Sequence, residues 1–437
     1  MNTEQNSFWT LLKMRNFRLL WGAGSLSAIG DQFDLLAFPW LVLLITGDPL
    51  AVGTIIAVGG IPTVLFMLVG GSLVDRFAPR LIMQISNVLR ILIGSALAAL
   101  ILTGLINLWI LYFFALIKGI TDAFYYPAQS AMLPSIVTKE QLRQSNAVMQ
   151  TTAELSGFVG PMAAGGLIAF FSGTSTLAAN PAPDQTSMTG VGLAFVVLAI
   201  AFAVSALLLA VMKLERKETV SSTSEQVDND EEKNDNIFAS IGAGLRFVRA
   251  DAAMFTLFVL IAGIEFFVQG PVIVGIPVLA NNHLPEGALA VGIITSAYAA
   301  GALVGAVLAG ALPAPNRHLG PLFMFVFGAS GVLMMPFGFM TNTWIAAGLV
   351  VVIGVLGGYS NILFMTWLQG RTPQAMMGRV MSLLMVASIG LSPISNALSG
   401  GLIKLSLGWV FVGAGLLMAV LCMIVGFRRE IREMTMA

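Results

Sequence analysis

The chain is poor in the residues that do most chemistry in water. Its 437 residues include one cysteine, Cys422, and two histidines, His283 and His318. A single thiol excludes a disulfide framework and a thiolate-rich metal site. Two histidines leave little for zinc or general-base chemistry. Charge is scarce too: Asp, Glu, Lys and Arg make up 10% of the chain, against about 25% in an average soluble protein. The 22 Lys and Arg balance the 22 Asp and Glu, and without a basic excess there is nothing to neutralise a nucleic acid backbone. No Gly-Lys-Ser/Thr phosphate loop and no catalytic constellation appear. The chain therefore reads as no enzyme, with no metal and no cofactor.

What it has in excess is hydrocarbon. Hydrophobic residues make up 57%, and the mean hydropathy is +0.88. A soluble globule could not hide so much apolar surface, which leaves an integral membrane protein. A helix crossing the hydrocarbon core needs about 20 apolar residues. Runs of that length fall near 18–46, 50–74, 81–103, 107–131, 146–171 and 189–212, then 253–280, 289–312, 320–340, 343–367, 379–404 and 408–427. These predict twelve spans in an all-α membrane protein. The runs are too long and continuous for a barrel, whose strands alternate polarity over about ten residues.

Lys and Arg orient the spans. Apart from Arg90 and Lys118, which lie within spans, only Lys404 falls on the face opposite the N-terminus. Bases gather on the cytoplasmic side of membrane proteins, so both termini are expected there, in a bacterial inner membrane.

Residues 213–250 interrupt the pattern. Within them 221–236 is acidic, polar and free of aromatics, which reads as a disordered tether. Residues 237–250 place Ile237, Ile241, Leu245 and Val248 on one face, as in an amphipathic helix lying on a membrane surface. The expected organisation is a six-helix bundle over 1–212, a cytoplasmic linker over 213–250 and a second six-helix bundle over 251–437. The halves are faintly alike: Ala51-Val52-Gly53 corresponds to Ala290-Val291-Gly292, Gly165-Gly166-Leu167-Ile168 to Gly400-Gly401-Leu402-Ile403, and Pro39 to Pro277. A parallel duplication of this kind is the layout of a transporter with its site between the halves.

Span 2 ends in Gly71-Ser72-Leu73-Val74-Asp75-Arg76-Phe77-Ala78-Pro79-Arg80. Gly lets helices approach closely, and the charges can cap helix ends and form state-dependent ion pairs. The segment resembles the G-x-x-x-D-R-x-x-x-R loop (motif A) of the major facilitator superfamily, which implies a conformational latch at Gly71, Asp75, Arg76 and Arg80. The matching loop of the second half, 311–319, keeps Arg317 and lacks the Asp. Span 5 carries Gly157, Gly160, Pro161, Gly165 and Gly166, a smooth groove with a Pro that removes one hydrogen bond. It resembles the antiporter motif (motif C) of exporters in that superfamily. Three residues stand here between the Pro and the Gly pair where the family form has two, and a packing groove serves either transport direction. With Asn16-Phe17-Arg18-Leu19-Leu20-Trp21, Ile29-Gly30-Asp31, residues 46–53 and Tyr126-Pro127-Ala128, the N-terminal half looks like the drug:proton antiporter branch that contains macrolide-efflux proteins and the enterobactin exporter.

An ionisable group inside a span is a functional candidate by default. Asp31 and Asp34 lie three residues apart in span 1; Arg90 is in span 3; Lys118 and Asp122 form an i,i+4 pair in span 4; Glu154 is in span 5; Glu265, with Gln269 one turn on, is in span 7. Arg90 is expected to pair with Asp31 or Asp34, and Lys118–Asp122 is either a self-neutralising pair or a coupling element. Asp31, Asp34, Asp122, Glu154 and Glu265 are the proton-coupling candidates, with Asp31 and Asp34 first. Family architecture implies a cavity lined by spans 1, 4, 7 and 10. Its candidates are Phe38, Trp40, Tyr125, Tyr126, Gln129, Phe266, Gln269, Tyr359, Asn361, Phe364 and Trp367, about half of which are expected to face it. The stripe Ser388, Ser392, Ser395/Asn396 and Ser399 reads as bonding between helices. The expectation is a monomeric exporter of amphiphilic molecules, driven by protons. A lysophospholipid flippase, an uptake symporter and a non-transporting sensor are the alternatives.

Overall fold

Long apolar segments in a bilayer have no water to bond their backbone, so each closes its own hydrogen bonds as a helix. The computed structural model describes residues 8–172, 185–212, 237–312 and 318–435. They form α1 (Phe8–Lys13), α2 (Arg15–Thr46), α3 (Pro49–Arg76), α4 (Pro79–Leu102), α5 (Leu108–Met132), α6 (Lys139–Ser172), α7 (Gln185–Val211) and α8 (Ile237–Ala250). The rest are α9 (Ala252–His283), α10 (Ala288–Ala311), α11 (Leu319–Met334), α12 (Thr343–Arg371), α13 (Gln374–Ile389), α14 (Ser392–Leu405), α15 (Leu407–Gly426) and α16 (Arg429–Arg432). Twelve stretches among the described residues are long and apolar enough to cross a membrane, and they coincide with the twelve predicted spans. The tether over 221–236 lies outside the described residues; the amphipathic segment after it is helix α8.

Polar side chains at the chain reversals fix where helices start. Asn107 accepts from Ile110 N at 3.0 Å to open α5, and Asn342 accepts from Trp344 N and Ile345 N at 2.9 and 3.1 Å to open α12. Asp251 does the same for α9, accepting from Ala253 N and Met254 N at 3.0 and 3.1 Å. Each cap satisfies amide donors that the first helical turn leaves free. At the end of α2, Gly47 has φ 62°, a left-handed conformation that only Gly adopts cheaply.

One expected span is not continuous. The eleventh breaks at Gly390-Leu391 into α13 and α14. Pro393 sits at the start of α14, has no N–H to give the Ile389 carbonyl, and crowds the residues before it.

Two bundles of six spans result, α2–α7 and α9–α15. Among the described residues they share an apolar core at one end. At the end carrying the α2–α3, α9–α10 and α14–α15 turns, here the far end, one apolar cluster runs through both bundles, from Leu41, Val52 and Phe195 to Val278, Ala290 and Phe411. At the opposite end, where α1, α8 and α16 lie, the core splits. One cluster, including Phe17, Met83 and Tyr125, belongs to the first bundle; another, including Phe258, Phe323 and Trp367, belongs to the second.

The faint sequence repeats are the far-end seams. A Cβ on Gly165 would stand 2.5 Å from the Ala288 carbonyl oxygen, and one on Gly400 2.6 Å from that of Pro49. A Cβ on Gly292 would meet the Pro161 carbonyl, and one on Gly53 the Asn396 carbonyl. Thus α6 crosses α10 as α14 crosses α3, with equivalent residues at each crossing. Close backbone approach of this kind needs small residues.

Candidate functional site

Five of the intramembrane charges converge on a single network. Arg90 of α4, buried at 3% exposure, donates from Nε and Nη2 to Asp122 Oδ1 at 2.9 and 2.6 Å. Its Nη1 stands 3.6 Å from Asp31 Oδ1. Lys118 Nζ bridges Asp122 Oδ2 at 2.8 Å and Asp34 Oδ2 at 2.9 Å. Tyr126 donates to Asp31 Oδ2 at 2.8 Å. The guanidinium lies between the Tyr125 and Phe202 rings, 4.3 and 5.1 Å from their centroids. Behind it, Tyr125 donates to Ser27, which is bonded to Ser205, to which Asn87 also donates. Buried charges persist only when paired and hydrogen-bonded; this packing supplies both, except that Arg90 Nη1 is left without a hydrogen bond.

Two expectations are refined here. Arg90 does pair with Asp31, at 3.6 Å, but its strongest partner is Asp122 on the adjacent α5, and Asp34 goes to Lys118 instead. The Lys118–Asp122 pair is the hub of the network rather than an isolated neutral unit. Three carboxyls against two bases leave one negative charge in excess when all are ionised.

Asp31 and Asp34 face different spaces. Asp31 lines a polar cavity of about 440 Å³ inside the first bundle, with Trp21, Gln32, Tyr126, Gln129, Asn146 and Gln150. Asp34, Lys118 and Asp122 form the polar floor of a mainly apolar cavity of about 230 Å³ between the bundles. Its walls include Phe38, Gly59 and Thr63 on one side, and Ile273, Ile389, Pro393 and Asn396 on the other. A site of this shape, apolar with a few convergent polar groups, is what a small-molecule ligand requires. It lies at mid-helix, under the seam where Gly53 meets Asn396.

The family can now be stated on a comparison as well as on geometry. A profile of the Major Facilitator Superfamily matches residues 20–394. The chain belongs to this superfamily. Two curated relatives within it are exporters by name. The multidrug efflux pump Tap of Mycolicibacterium fortuitum is 24% identical over 93% of this chain and 94% of its own. The enterobactin exporter EntS of Escherichia coli is 26% identical over 88% and 85%. Among solved structures, a bacterial homologue of the iron transporter ferroportin, in its inward-facing state, superposes with TM-score 0.69 at 17% identity. It covers 96% of this chain and 100% of that one. A peptide transporter in complex with alafosfalin also reaches 0.69, at 13% identity, covering 96% of this chain and 95% of that one. These structures share the fold.

Within the superfamily fold, the other candidates fall out as follows. Gly160 packs on Gln32 of α2, and Pro161, Gly165 and Gly166 line the crossing with α10; Gly157 stands further from Gln32. The motif of span 5 thus acts as a packing groove at the seam. The side chains of residues 68–76, among them Gly71, Asp75 and Arg76, lie outside the described residues, as does Arg317. Arg80 is described: it donates to the Leu209 and Ala210 carbonyls at 2.9 and 2.8 Å, capping the end of α7. Glu154 is exposed and accepts from Gln150 at 2.8 Å. Glu265 is half-buried and hydrogen-bonded to Gln269, and Tyr298 of α10 lies within electrostatic reach of Glu265 and Glu154.

Span 10 contributes less than expected. Phe364 and Trp367 pack with Phe323 in the core of the second bundle, and Tyr359 packs against that core. Asn361 is exposed. Trp40 is buried in the far-end core. Phe266 lines an apolar groove with Leu398 and Trp409, away from the charges. The cavity floored by Asp34 is lined by spans 1, 2, 4, 7 and 11.

Sequence reasoning missed three ion or cap pairs outside the spans. Lys404 at the end of α14 meets Asp48 between α2 and α3 at 3.0 Å, tying the bundles at the far end. Its signal was available, since Lys404 is the only base on that face. Arg371 meets the capping residue Asp251 at 2.5 Å. Glu286 accepts from Thr343 at the start of α12.

Proposed function

We propose that the protein exports amphiphilic small molecules by proton antiport, as a monomer in a bacterial inner membrane, with both termini cytoplasmic. The observation that carries this reading is the five-charge network, with one carboxyl in excess and two cavities at its edges. The names of Tap and EntS, a multidrug efflux pump and an enterobactin exporter, support the direction and the substrate class, and the Lys and Arg asymmetry supports the orientation. With that orientation the sealed far end is the outer one, and the bundles part toward the cytoplasm.

Asp31 is the proton carrier in this scheme. Asp122 is held by two bases and Asp34 by Lys118 at 2.9 Å, whereas Asp31 has one Tyr126 hydrogen bond and Arg90 at 3.6 Å. It also borders an open polar cavity. A proton arriving from outside cancels the excess charge, weakens the hold on a cationic or polar substrate, and permits the return to the cytoplasm-facing state. Arg90 and Lys118 keep Asp122 in place through the cycle.

The test is transport in proteoliposomes under an imposed pH gradient, with lipophilic cations, macrolides and lysolipids as candidate substrates. Gradient-dependent movement of the first two supports drug export. Movement of lysolipids alone favours the second reading, a lipid flippase, which the mostly apolar cavity over a charged floor also suits. No gradient-dependent movement of any of them overturns the proposal.

A further inference from the structure

Asn396 carries an unmet requirement at the inter-bundle cavity. It is 2% exposed, and its Nδ2 donates to Ser392 at 3.3 Å, but Oδ1 has no hydrogen-bond partner. Buried polar atoms are seldom left this way, and each costs roughly 1–3 kcal/mol when they are. The residue is part of the cavity wall, opposite Asp34 and Lys118. The helix break lies beside it. Ile389, also on that wall, loses the helical donor for its carbonyl because Pro393 has no N–H. Span 11 therefore brings an unmatched side-chain acceptor, Asn396 Oδ1, to the cavity wall.

The opposite wall can give up a partner. Lys118 bonds both Asp34 and Asp122, so Asp34 can pass to an incoming cation while Lys118 keeps Asp122. We infer that this cavity takes the head of a primary or secondary ammonium amphiphile, held between Asp34 on the first bundle and Asn396 Oδ1 on the second. Asn396 selects heads that bear N–H. A quaternary ammonium has the same charge and no donor, so it gains from Asp34 but leaves Asn396 unpaired. The apolar body lies on Phe38, Ile55, Ile56 and Pro393. Because the Asn396 backbone carbonyl also meets Gly53 at the seam, the bound head sits directly beneath the far-end seal. The inference deepens the export reading and rests on it for the substrate class.

The test compares 4-phenylbutylammonium with its N,N,N-trimethyl analogue by titration calorimetry on the purified full chain at neutral pH. The native protein is expected to bind the primary ammonium about tenfold more tightly, the worth of one hydrogen bond to a charged donor. Asn396→Leu is expected to shrink that preference severalfold, to what N–H donation to Asp34 alone supplies, while leaving the trimethyl affinity within about twofold, which also shows the cavity intact. Asn396→Asp, which keeps an acceptor, is expected to retain the preference. An undiminished preference in Asn396→Leu, an absent preference in the native protein, or binding of neither amine overturns the inference. If the preference depends on Asn396 but no pH gradient drives flux, the antiport reading fails and this one stands.

Discussion

Arg90 places both Nε and Nη2 on one oxygen of Asp122 and comes no nearer than 3.6 Å to Asp31. That asymmetry separates structure from transport. Replacing Asp122 with Asn removes the partner shared by buried Arg90 and half-buried Lys118, and breaking a buried pair costs roughly 3–5 kcal/mol. Asp31→Asn is expected to cost less than about 1 kcal/mol, since the amide keeps the Tyr126 hydrogen bond and relieves the excess charge. Thermal unfolding of the purified variants checks this: Asp122→Asn should melt well below the native protein, and Asp31→Asn close to it.

The seams give a prediction with an internal control. Ala at Gly165 or Gly400 puts a methyl 2.5 or 2.6 Å from a backbone oxygen of the other bundle, which cannot be accommodated without separating the helices. Each substitution is expected to open the far end, read as longer distances between spin labels on the α2–α3 and α9–α10 turns. Gly413→Ala, with nothing within 4 Å of the new methyl, should leave those distances unchanged.

The Asp48–Lys404 pair makes that seal sensitive to acid. Burial raises the Asp48 carboxyl, but hydrogen bonds from Lys404 and the Leu50 N–H, together with the Lys404 charge, outweigh it and hold the group below the usual carboxylate range. A carboxyl lowered in the paired state contributes its stabilisation above its ordinary value, near 4, and loses it as pH falls through the lowered one. Far-end distances are therefore expected to stay constant between pH 7 and about 5 and to lengthen below about 4. The pair is partly solvent-exposed, so its worth is under about 1 kcal/mol. Asp48→Asn should remove the acid response.

Asp251 serves as both cap and ion partner, and substitution can divide the two roles. Asn keeps a side-chain oxygen for the Ala253 and Met254 amides but loses the charge that Arg371 meets; Ala loses both. Asp251→Ala is expected to cost about 1 kcal/mol more than Asp251→Asn, the usual worth of a cap, as measured by thermal unfolding.

Much of the fold was legible because a bilayer imposes one solution on a long apolar run. Span positions followed from length and hydropathy alone, and the internal duplication from the repeated Ala-Val-Gly and Gly-Gly-Leu-Ile motifs; that these motifs meet each other across the bundles needed the structure. The site was legible in its membership and not in its wiring. Asp31, Asp34, Arg90, Lys118 and Asp122 were each conspicuous as charges in hydrocarbon, but partner choice depends on helix rotation and neighbour identity, which spacing within one helix does not encode. The same limit explains span 10: Phe364 and Trp367 look like cavity aromatics in one dimension and turn into the bundle core in three. The break in span 11 had a signal, Gly390 and Pro393 together, inside a run otherwise apolar enough to cross without interruption.

Proton-driven flux in the Asp31→Asn variant tests the central claim most directly. The account predicts that substrate exchange between vesicle interior and exterior continues in this variant, while flux driven by an imposed pH gradient falls to background. Gradient-driven transport at the native rate in Asp31→Asn would contradict it.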